Sequence, residues 1–280
     1  MKKTNANPGP LLVLCAALLM STGGLLIKLL PWGGMAVNGG RTLIAALVTY
    51  SYIRLTGRRL VTSRTVLGCA VCIWLCCLAF TFATQLTTAG NAVVIQYTSP
   101  VFVILYMALF FHRRPRRADL VACGVVFAGV LCFFIESLSG GGMLGNLLAL
   151  VAAACYAVVF LVNMVPGADS FSAYFWSQAI GGIVGLPWLL TAPRADAQSW
   201  VVLVLLGVFQ VSVAYILMAR GLATTGPVTA NVLCMVEPIC NPLWVALVCG
   251  ERLGSLSLVG IAVVLGGLLW YNLYNVRHKA

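Results

Sequence analysis

The chain has 280 residues, of which 61% are hydrophobic and 8% charged, and its mean hydropathy is +1.02. Soluble domains carry about 25% charged residues, so this composition excludes a soluble enzyme or binding domain and indicates a membrane protein. The formal net charge of +11 does not indicate a nucleic-acid partner, because the basic residues cluster in tails and loops between apolar segments.

The apolar segments divide into ten predicted membrane spans, since a helix needs about 20 apolar residues to cross a bilayer. In chain order they cover Pro10–Leu30, Gly34–Leu55, Val66–Gln85, Asn91–Phe111, Ala118–Ile135, Met143–Met164, Ser170–Leu190, Trp200–Arg220, Val228–Cys249 and Leu256–Tyr274. The first segment is too long for the apolar part of a signal peptide and is taken as a span. The sequence therefore predicts an all-α integral membrane protein with ten transmembrane helices.

The basic residues predict the orientation of these spans. They cluster in the two tails and in the loops after the second and fourth spans, at Lys2, Lys3, Arg54, Arg58, Arg59, Arg64, Arg113, Arg114, Arg116, Arg117, Arg277 and Lys279. With ten spans these places share one face, which the positive-inside rule assigns to the cytoplasm. We expect a multi-pass protein of the bacterial cytoplasmic (inner) membrane with both termini inside, in contact with anionic lipid headgroups.

The cysteines and histidines give no sign of a metal, a cofactor or an enzyme. Nearly all eleven cysteines fall inside spans, where they are interpreted as small packing residues without disulfides. The two histidines, His112 and His278, lie in basic loop or tail stretches, and no H-E-x-x-H, G-x-S-x-G or P-loop motif is present. No metal, cofactor or ATP-driven step is therefore expected.

The chain contains an internal repeat at an offset of about 138 residues. Residues 87–131 align without a gap with residues 225–269, and Pro100 meets Pro238. This predicts two five-helix units, residues 1–136 and 137–280. Because each unit has an odd number of spans, the second is inverted in the membrane, a design in which secondary transporters bind their substrate near the midplane between the repeats.

Glu237 is the acidic residue that this organisation places deepest in the bilayer. It follows the predicted start of the ninth span by about ten residues, or roughly 15 Å along a helix. A charge there costs several kcal/mol unless it faces a cavity, a partner or a proton. Pro238 and Pro242, like Pro100 in the first repeat, remove backbone donors and predict kinks beside a polar space.

Polar and aromatic side chains line one face of the ninth span, at Cys234, Glu237, Asn241 and Trp244. Under the repeat offset, the fourth span presents Gln96, Ser99, Val103 and Tyr106. The two stripes are expected to face each other across a common cavity. The alternative is that Glu237 only forms a structural hydrogen bond between helices.

The combination of Glu237–Pro238, Gly250–Arg252, Ser99–Pro100, Lys28 and Arg41 resembles the EamA-type members of the drug/metabolite transporter superfamily over essentially the whole chain. The resemblance implies a ten-helix, basket-shaped fold that moves metabolites such as amino acids or amines. Its central cavity is lined mainly by helices 1, 3, 4, 6, 8 and 9. The side chains that this fold directs inward are Trp74, Gln85, Tyr156, Asn163, Gln210, Tyr215 and Asn231.

Lys28 and Arg41 lie toward the predicted outer ends of the first two spans. They either reach the interface and helix-end carbonyls or act on the substrate, by holding a carboxylate or closing an outer gate. Each aromatic residue either packs or contributes to a cavity in which an ammonium group is attracted by cation–π interaction.

Three functions remain open from the sequence. The first is a secondary transporter of amino acids or related amino-group compounds, an exporter working by alternating access, in which Glu237 binds the ammonium group or exchanges it for a proton. The second is a proton-coupled importer of a quaternary amine. The third is a passive channel or a scaffold without transport. A monomer would suffice, because ten helices can enclose the cavity within one chain.

Overall fold

The computed structural model describes residues 8–110, 112, 114–140, 142–193, 196–225, 230, 233–251 and 253–277, without the side chains of residues 137–140, 163, 275 and 276. Within these residues the chain forms ten helices and no β-strand. They are α1 (Gly9–Lys28), α2 (Gly34–Leu55), α3 (Arg64–Leu86), α4 (Ala89–Phe110), α5 (Arg117–Gly140), α6 (Met143–Leu161), α7 (Ser170–Leu190), α8 (Ala197–Leu222), α9 (Val236–Cys249) and α10 (Ser255–Arg277).

Seven of these helices are long and apolar enough to cross a membrane: α1, α3, α4, α5, α6, α8 and α10. The other three lie at predicted spans but are more polar or shorter. Polar residues such as Arg41 interrupt the apolar sequence of α2, and serines such as Ser172 and Ser177 do so in α7. Helix α9 has 14 residues. The chain is thus a multi-span membrane protein.

Polar side chains fix where several helices begin. Ser63 and Thr88 accept hydrogen bonds from backbone amides in the first turns of α3 and α4, and Asp169 and Asp196 do the same for α7 and α8. Such caps satisfy amides that have no partner within the helix. Hydrogen bonds from the Ser199 hydroxyl and amide lower the pKa of the exposed Asp196 carboxyl.

The helices pack in pairs that link the two halves of the chain. Helix α2 packs on α7 and α5 on α10, while α3 packs on α6 and α1 on the C-terminal part of α8. The α2–α7 crossing is close, because a Cβ atom added to Gly39 would lie 2.6 Å from the backbone of Gly185. These small residues let two helix backbones meet, as is common in membranes.

Four helices depart from regular α-helix near the centre of the molecule. Helix α1 breaks at Thr22, and α4 breaks at Tyr97–Thr98 before resuming at Ser99. Helix α8 contains a π-helical stretch, Leu206–Val213. The ninth predicted span is interrupted by a turn at Met235, with helical residues on both sides, at Leu233 and Cys234 before it and from Val236 after it; its predicted start at Val228 lies outside the described residues.

The breaks in α4 and before α9 occur at equivalent positions, since the repeat offset carries Tyr97 onto Met235. Each precedes a proline by three residues, at Pro100 and Pro238. A proline has no backbone amide and its ring clashes with the preceding turn, so the chain leaves the helix just before it.

Candidate functional site

A small closed cavity of about 30 Å³ lies at these breaks, large enough for one or two water molecules. Its lining comes from seven helices, the six implied by the family resemblance and α2. The lining residues are Met20, Arg41, Cys76, Cys77, Phe80, Gln96, Tyr156, Gln210, Val211, Tyr215 and Glu237. The molecule is therefore in a closed state, and a metabolite enters only if the helices move apart.

Glu237 reaches the cavity from the first turn of α9 and is 5% exposed. The partial positive charge at a helix N-terminus favours a carboxylate at this position. The Tyr97 hydroxyl, at the break in α4, donates a hydrogen bond of 2.8 Å to Glu237 Oε2. Tyr97 was not among the predicted site residues. It could have been found from its position three residues before Pro100. The repeat offset aligns it with Met235, which stands three residues before Pro238.

Arg41 enters the cavity from α2 and is 2% exposed. Its Nη2 donates to the Cys77 backbone carbonyl at 2.7 Å and to Asn38 Oδ1 at 3.3 Å. Its Nη1 donates to Gln210 Oε1 at 3.5 Å. Gln210 comes from the π-helical stretch of α8, and Gly23 of α1 leaves room for its amide. Neutral hydrogen-bond partners thus hold the Arg41 guanidinium group at the cavity. Among the described residues, its positive charge has no counter-ion.

Arg41 and Glu237 line the same cavity without forming an ion pair. Within the described residues, no nitrogen of Arg41 lies within 4.0 Å of a carboxylate oxygen. A buried charge without a counter-ion costs far more than a solvated one. A ligand with a negative and a positive group would provide a negative partner for Arg41 and a positive partner for Glu237.

Asn241 lies one turn beyond Glu237 and does not line the cavity. Its side chain is fully buried against Gly24 of α1, and neither polar atom has a hydrogen-bond partner among the described residues. Trp244, on the same face of α9, donates to the Ser21 hydroxyl of α1 at 3.0 Å. In this closed state the outer part of the α9 stripe therefore packs on α1.

The remaining predicted site residues have different positions. Gln96, Tyr156 and Tyr215 line the cavity, while Trp74 lies beside Gly181 of α7 with its Nε1 unpaired among the described groups. Asn163 belongs to a short 3₁₀ segment after α6, and its side chain is not described. Asn231 lies outside the described residues. Pro242 lies inside α9 and Pro238 in its first turn.

Ionic contacts close the predicted outer end of the molecule. Lys28 Nζ lies 3.1 Å from Glu251 Oε2 and donates to the Thr87 carbonyl at 3.0 Å. The Ala89 amide, in the first turn of α4, donates to Glu251 Oε1 at 2.9 Å. These contacts join α1 and α4 of the first half to the end of α9 in the second half.

The opposite end, which carries the Arg-rich loop after α2, contains a larger and more open cavity of about 440 Å³, here called the vestibule. It is lined by Pro8, Leu12, Arg58, Asp169, Ser170, Phe171, Ala219, Arg220, Ala223 and Thr224. The two ends of the molecule therefore differ, one being closed by ionic contacts and the other containing a cavity of ligand size.

Several known proteins resemble this chain. A transporter of Archaeoglobus fulgidus described as uncharacterized is 26% identical over 93% of this chain and 95% of its own length. The uncharacterized inner membrane transporter YicL of Salmonella typhimurium is 22% identical over 71% and 69% of the two chains. One solved crystal structure shares the fold, with a TM-score of 0.68 and 17% identity, over 97% of this chain and 99% of its own.

The sequence model of one family matches nearly the whole chain in two segments. The EamA-like transporter family aligns with residues 7–135 and again with residues 143–273. The relatives named as transporters cover the same region. The chain therefore belongs to the EamA-like transporter family of membrane proteins, whose members move small molecules across a lipid bilayer.

Proposed function

We propose that this protein is a secondary transporter of small zwitterionic metabolites with an amino group, such as amino acids, and that it exports them across the bacterial cytoplasmic membrane. One observation carries the proposal: Arg41 and Glu237 line the same closed cavity without pairing with each other. Arg41 would bind the carboxylate of the substrate, since its planar fork matches a carboxylate bidentately. Glu237 would bind the ammonium group.

Alternating access suits the geometry better than a pore does. The closed central cavity holds one or two water molecules, so a substrate must open it and close it again. The two halves of the chain match the same family model, and the helix pairs α3–α6 and α8–α1 are equivalent under the proposed repeat. Two inverted five-helix units, residues 1–136 and 137–280, would rock against each other around the cavity.

The proposed outward direction rests on the open vestibule at the Arg-rich end. The positive-inside rule assigns that end to the cytoplasm. Substrate would load there, open the central cavity, and leave after Lys28 and Glu251 separate. In the empty carrier a proton on Glu237 would take the place of the ammonium group, since a lone carboxylate in the bilayer is costly.

Arg41 argues against the quaternary-amine importer, the second function that the sequence left open. A permanent cation gains from Glu237 and from the aromatic rings of Tyr97 and Tyr156, but it is repelled by a guanidinium group in the same cavity. An amino acid neutralises both charges.

Counterflow in proteoliposomes tests the proposal. The panel contains L-leucine, L-lysine, L-glutamate, choline and succinate, and the proteins are wild type, Glu237→Gln and Asp196→Asn. Asp196→Asn removes an acidic charge outside the cavity and serves as the control. Zwitterion exchange that persists in the control and is lost in Glu237→Gln supports the proposal. Exchange of choline or succinate alone, or amino-acid exchange unaffected by Glu237→Gln, overturns it.

A further inference from the structure

We propose that the vestibule is a second, weaker binding site for the same zwitterionic substrate, occupied before the substrate reaches the central cavity. This inference rests on the proposed function for the class of substrate. It proposes that the vestibule binds an ammonium group and a carboxylate, as the central cavity is proposed to do. The residues that carry it are Arg58, Arg220 and Asp169.

The vestibule has the size of a ligand site. Its volume of about 440 Å³ lies within the range of about 300–1,000 Å³ that is usual for small-molecule pockets. The central cavity of about 30 Å³ is far below that range. In this closed state, the vestibule is therefore the larger of these two cavities by more than tenfold and the one with room for an amino acid.

The vestibule, like the central cavity, contains charged residues of both signs, here two exposed arginines and one half-buried aspartate. Arg58, Arg220 and Asp169 line the vestibule, yet within the described residues neither arginine comes within 4.0 Å of a carboxylate oxygen. Two guanidinium groups and one carboxylate thus share a cavity without pairing. A zwitterion complements both signs, whereas a simple anion or a simple cation would be repelled by one of them.

Two of these charged groups are held in place. The Arg58 guanidinium lies over the Phe171 ring, 4.2 Å from its centroid, a cation–π contact that leaves the edge of the guanidinium free to donate. Asp169 caps α7, with Oδ2 accepting from the Ser172 amide at 2.7 Å. The other carboxylate oxygen has no hydrogen bond among the described residues and remains able to accept from an ammonium group.

The same helices lead from the vestibule to the central cavity. Helix α1 contributes Leu12 to the first and Met20 to the second, and α8 contributes Ala219 and Val211. A third, smaller cavity shares Cys77, Val211 and Tyr215 with the central one and is also lined by Tyr174, Ser177 and Gln178 of α7, the helix whose first residues line the vestibule. Substrate bound in the vestibule would thus stand at the entrance of this route.

The barrier on the route is aromatic. The rings of Tyr174 and Tyr215 lie 4.9 Å apart between the vestibule and the centre, and Tyr215 also lines the central cavity. Beside them, Gln178 is 3% exposed and its Oε1 has no partner among the described groups. An unpaired buried acceptor is costly unless a passing polar group meets it. The path from the vestibule inward is thus partly polar.

Saturation-transfer difference NMR on the purified Glu237→Gln protein in detergent tests the proposal, because that variant disables the proposed central site. The probes are L-alanine, which has both charges, ethylamine, which has only the ammonium group, and propionate, which has only the carboxylate. The variants, made in that background, are Arg58→Gln/Arg220→Gln, Asp169→Asn and the control Arg54→Gln. Asn caps helices about as well as Asp, so Asp169→Asn removes the charge and keeps the cap.

We expect an L-alanine signal at least about tenfold above those of ethylamine and propionate, a difference of about 1.4 kcal/mol, since each of those two probes leaves one sign of charge in the vestibule without a partner. It should persist in Arg54→Gln and be lost in both vestibule variants. No L-alanine signal, or a signal indifferent to the vestibule variants, overturns the proposal. Propionate binding equal to that of L-alanine would identify a general anion site of the kind that a lipid phosphate occupies, and would also overturn it. If L-alanine binds to the vestibule but counterflow in proteoliposomes fails, the proposed transport function is refuted and the vestibule proposal is not.

Discussion

Tyr97 and Glu237 form the shortest described hydrogen bond between two side chains of the central site, and it joins the two halves of the chain. The Tyr97 hydroxyl donates to the carboxylate at 2.8 Å from the break in α4, and the carboxylate sits at the first turn of α9. A hydrogen bond between neutral groups inside a protein contributes about 0.5–1.5 kcal/mol. This contact therefore stabilises the empty, closed state.

We expect Tyr97→Phe to lower the melting temperature of the purified protein by about 2–4 °C, since a loss of about 1 kcal/mol shifts it by roughly that amount in a chain of this size. The effect should shrink in a Glu237→Gln background, where the carboxyl acceptor is already replaced. Scanning fluorimetry of both single variants and the double variant measures the coupling. Tyr106→Phe, on the same helix, is the control. Additive effects would show that the two side chains are not coupled.

Residue chemistry in the sequence located Glu237 better than it located its partners. A lone carboxylate before a proline in an apolar span has few roles, so its place at the centre could be predicted. An aromatic residue in such a span gives the same signal whether it packs or binds, and Tyr97 was missed. The burial of Arg41 depends on how deeply α2 enters the bundle, which no local pattern fixes.

At the scale of helices, the closest backbone approach of α2 and α7 explains one group of glycines. A Cβ atom on Gly39 would lie 2.6 Å from Gly185, a separation that real Cβ atoms essentially never show. Gly68 of α3 has no such role, since a Cβ atom there would meet nothing within 4 Å. The two positions provide a matched pair.

We expect Gly39→Ala to destabilise the protein by about 1–3 kcal/mol, because the helices must separate or strain to admit the methyl group. Gly68→Ala should be neutral or stabilising by up to about 1 kcal/mol, since alanine is the better helix former. Urea unfolding in detergent, followed by circular dichroism, measures both. Equal effects at the two positions would contradict close packing as the role of Gly39.

The positions of most helices were predictable to within a few residues. The breaks and the π-helical stretch inside the helices were predictable only in part. Apolar length placed Gly34–Leu55 and Ser170–Leu190 at their observed ends. The prolines indicated the breaks in α4 and before α9. The π-helical stretch around Gln210 had no such marker, because it depends on packing against α2 and α1 and leaves no special residue in the sequence.

At the scale of the whole molecule, different contacts lie between the central cavity and each of the two ends. Ion pairing of Lys28 with Glu251 holds the predicted outer end, and both side chains are partly exposed. A partly exposed pair contributes up to about 1 kcal/mol, so it can yield when substrate binds. On the proposed route from the vestibule to the centre, the tilted ring pair of Tyr174 and Tyr215 would form a steric barrier.

We expect Tyr174→Ala to open the inner barrier, because removal of one ring joins the small cavity beside it to the vestibule. Cys77 lines both that small cavity and the central one, so it reports on the opening. Its modification by 2-aminoethyl methanethiosulfonate, followed by peptide mass spectrometry, should accelerate about tenfold, the change produced by lowering a barrier by about 1.4 kcal/mol. Tyr50→Ala, which removes an exposed ring of α2 away from these cavities, is the control and should leave the rate unchanged. An unchanged rate in Tyr174→Ala would mean that Cys77 is reached by another path, and the aromatic pair would then be packing and not a barrier.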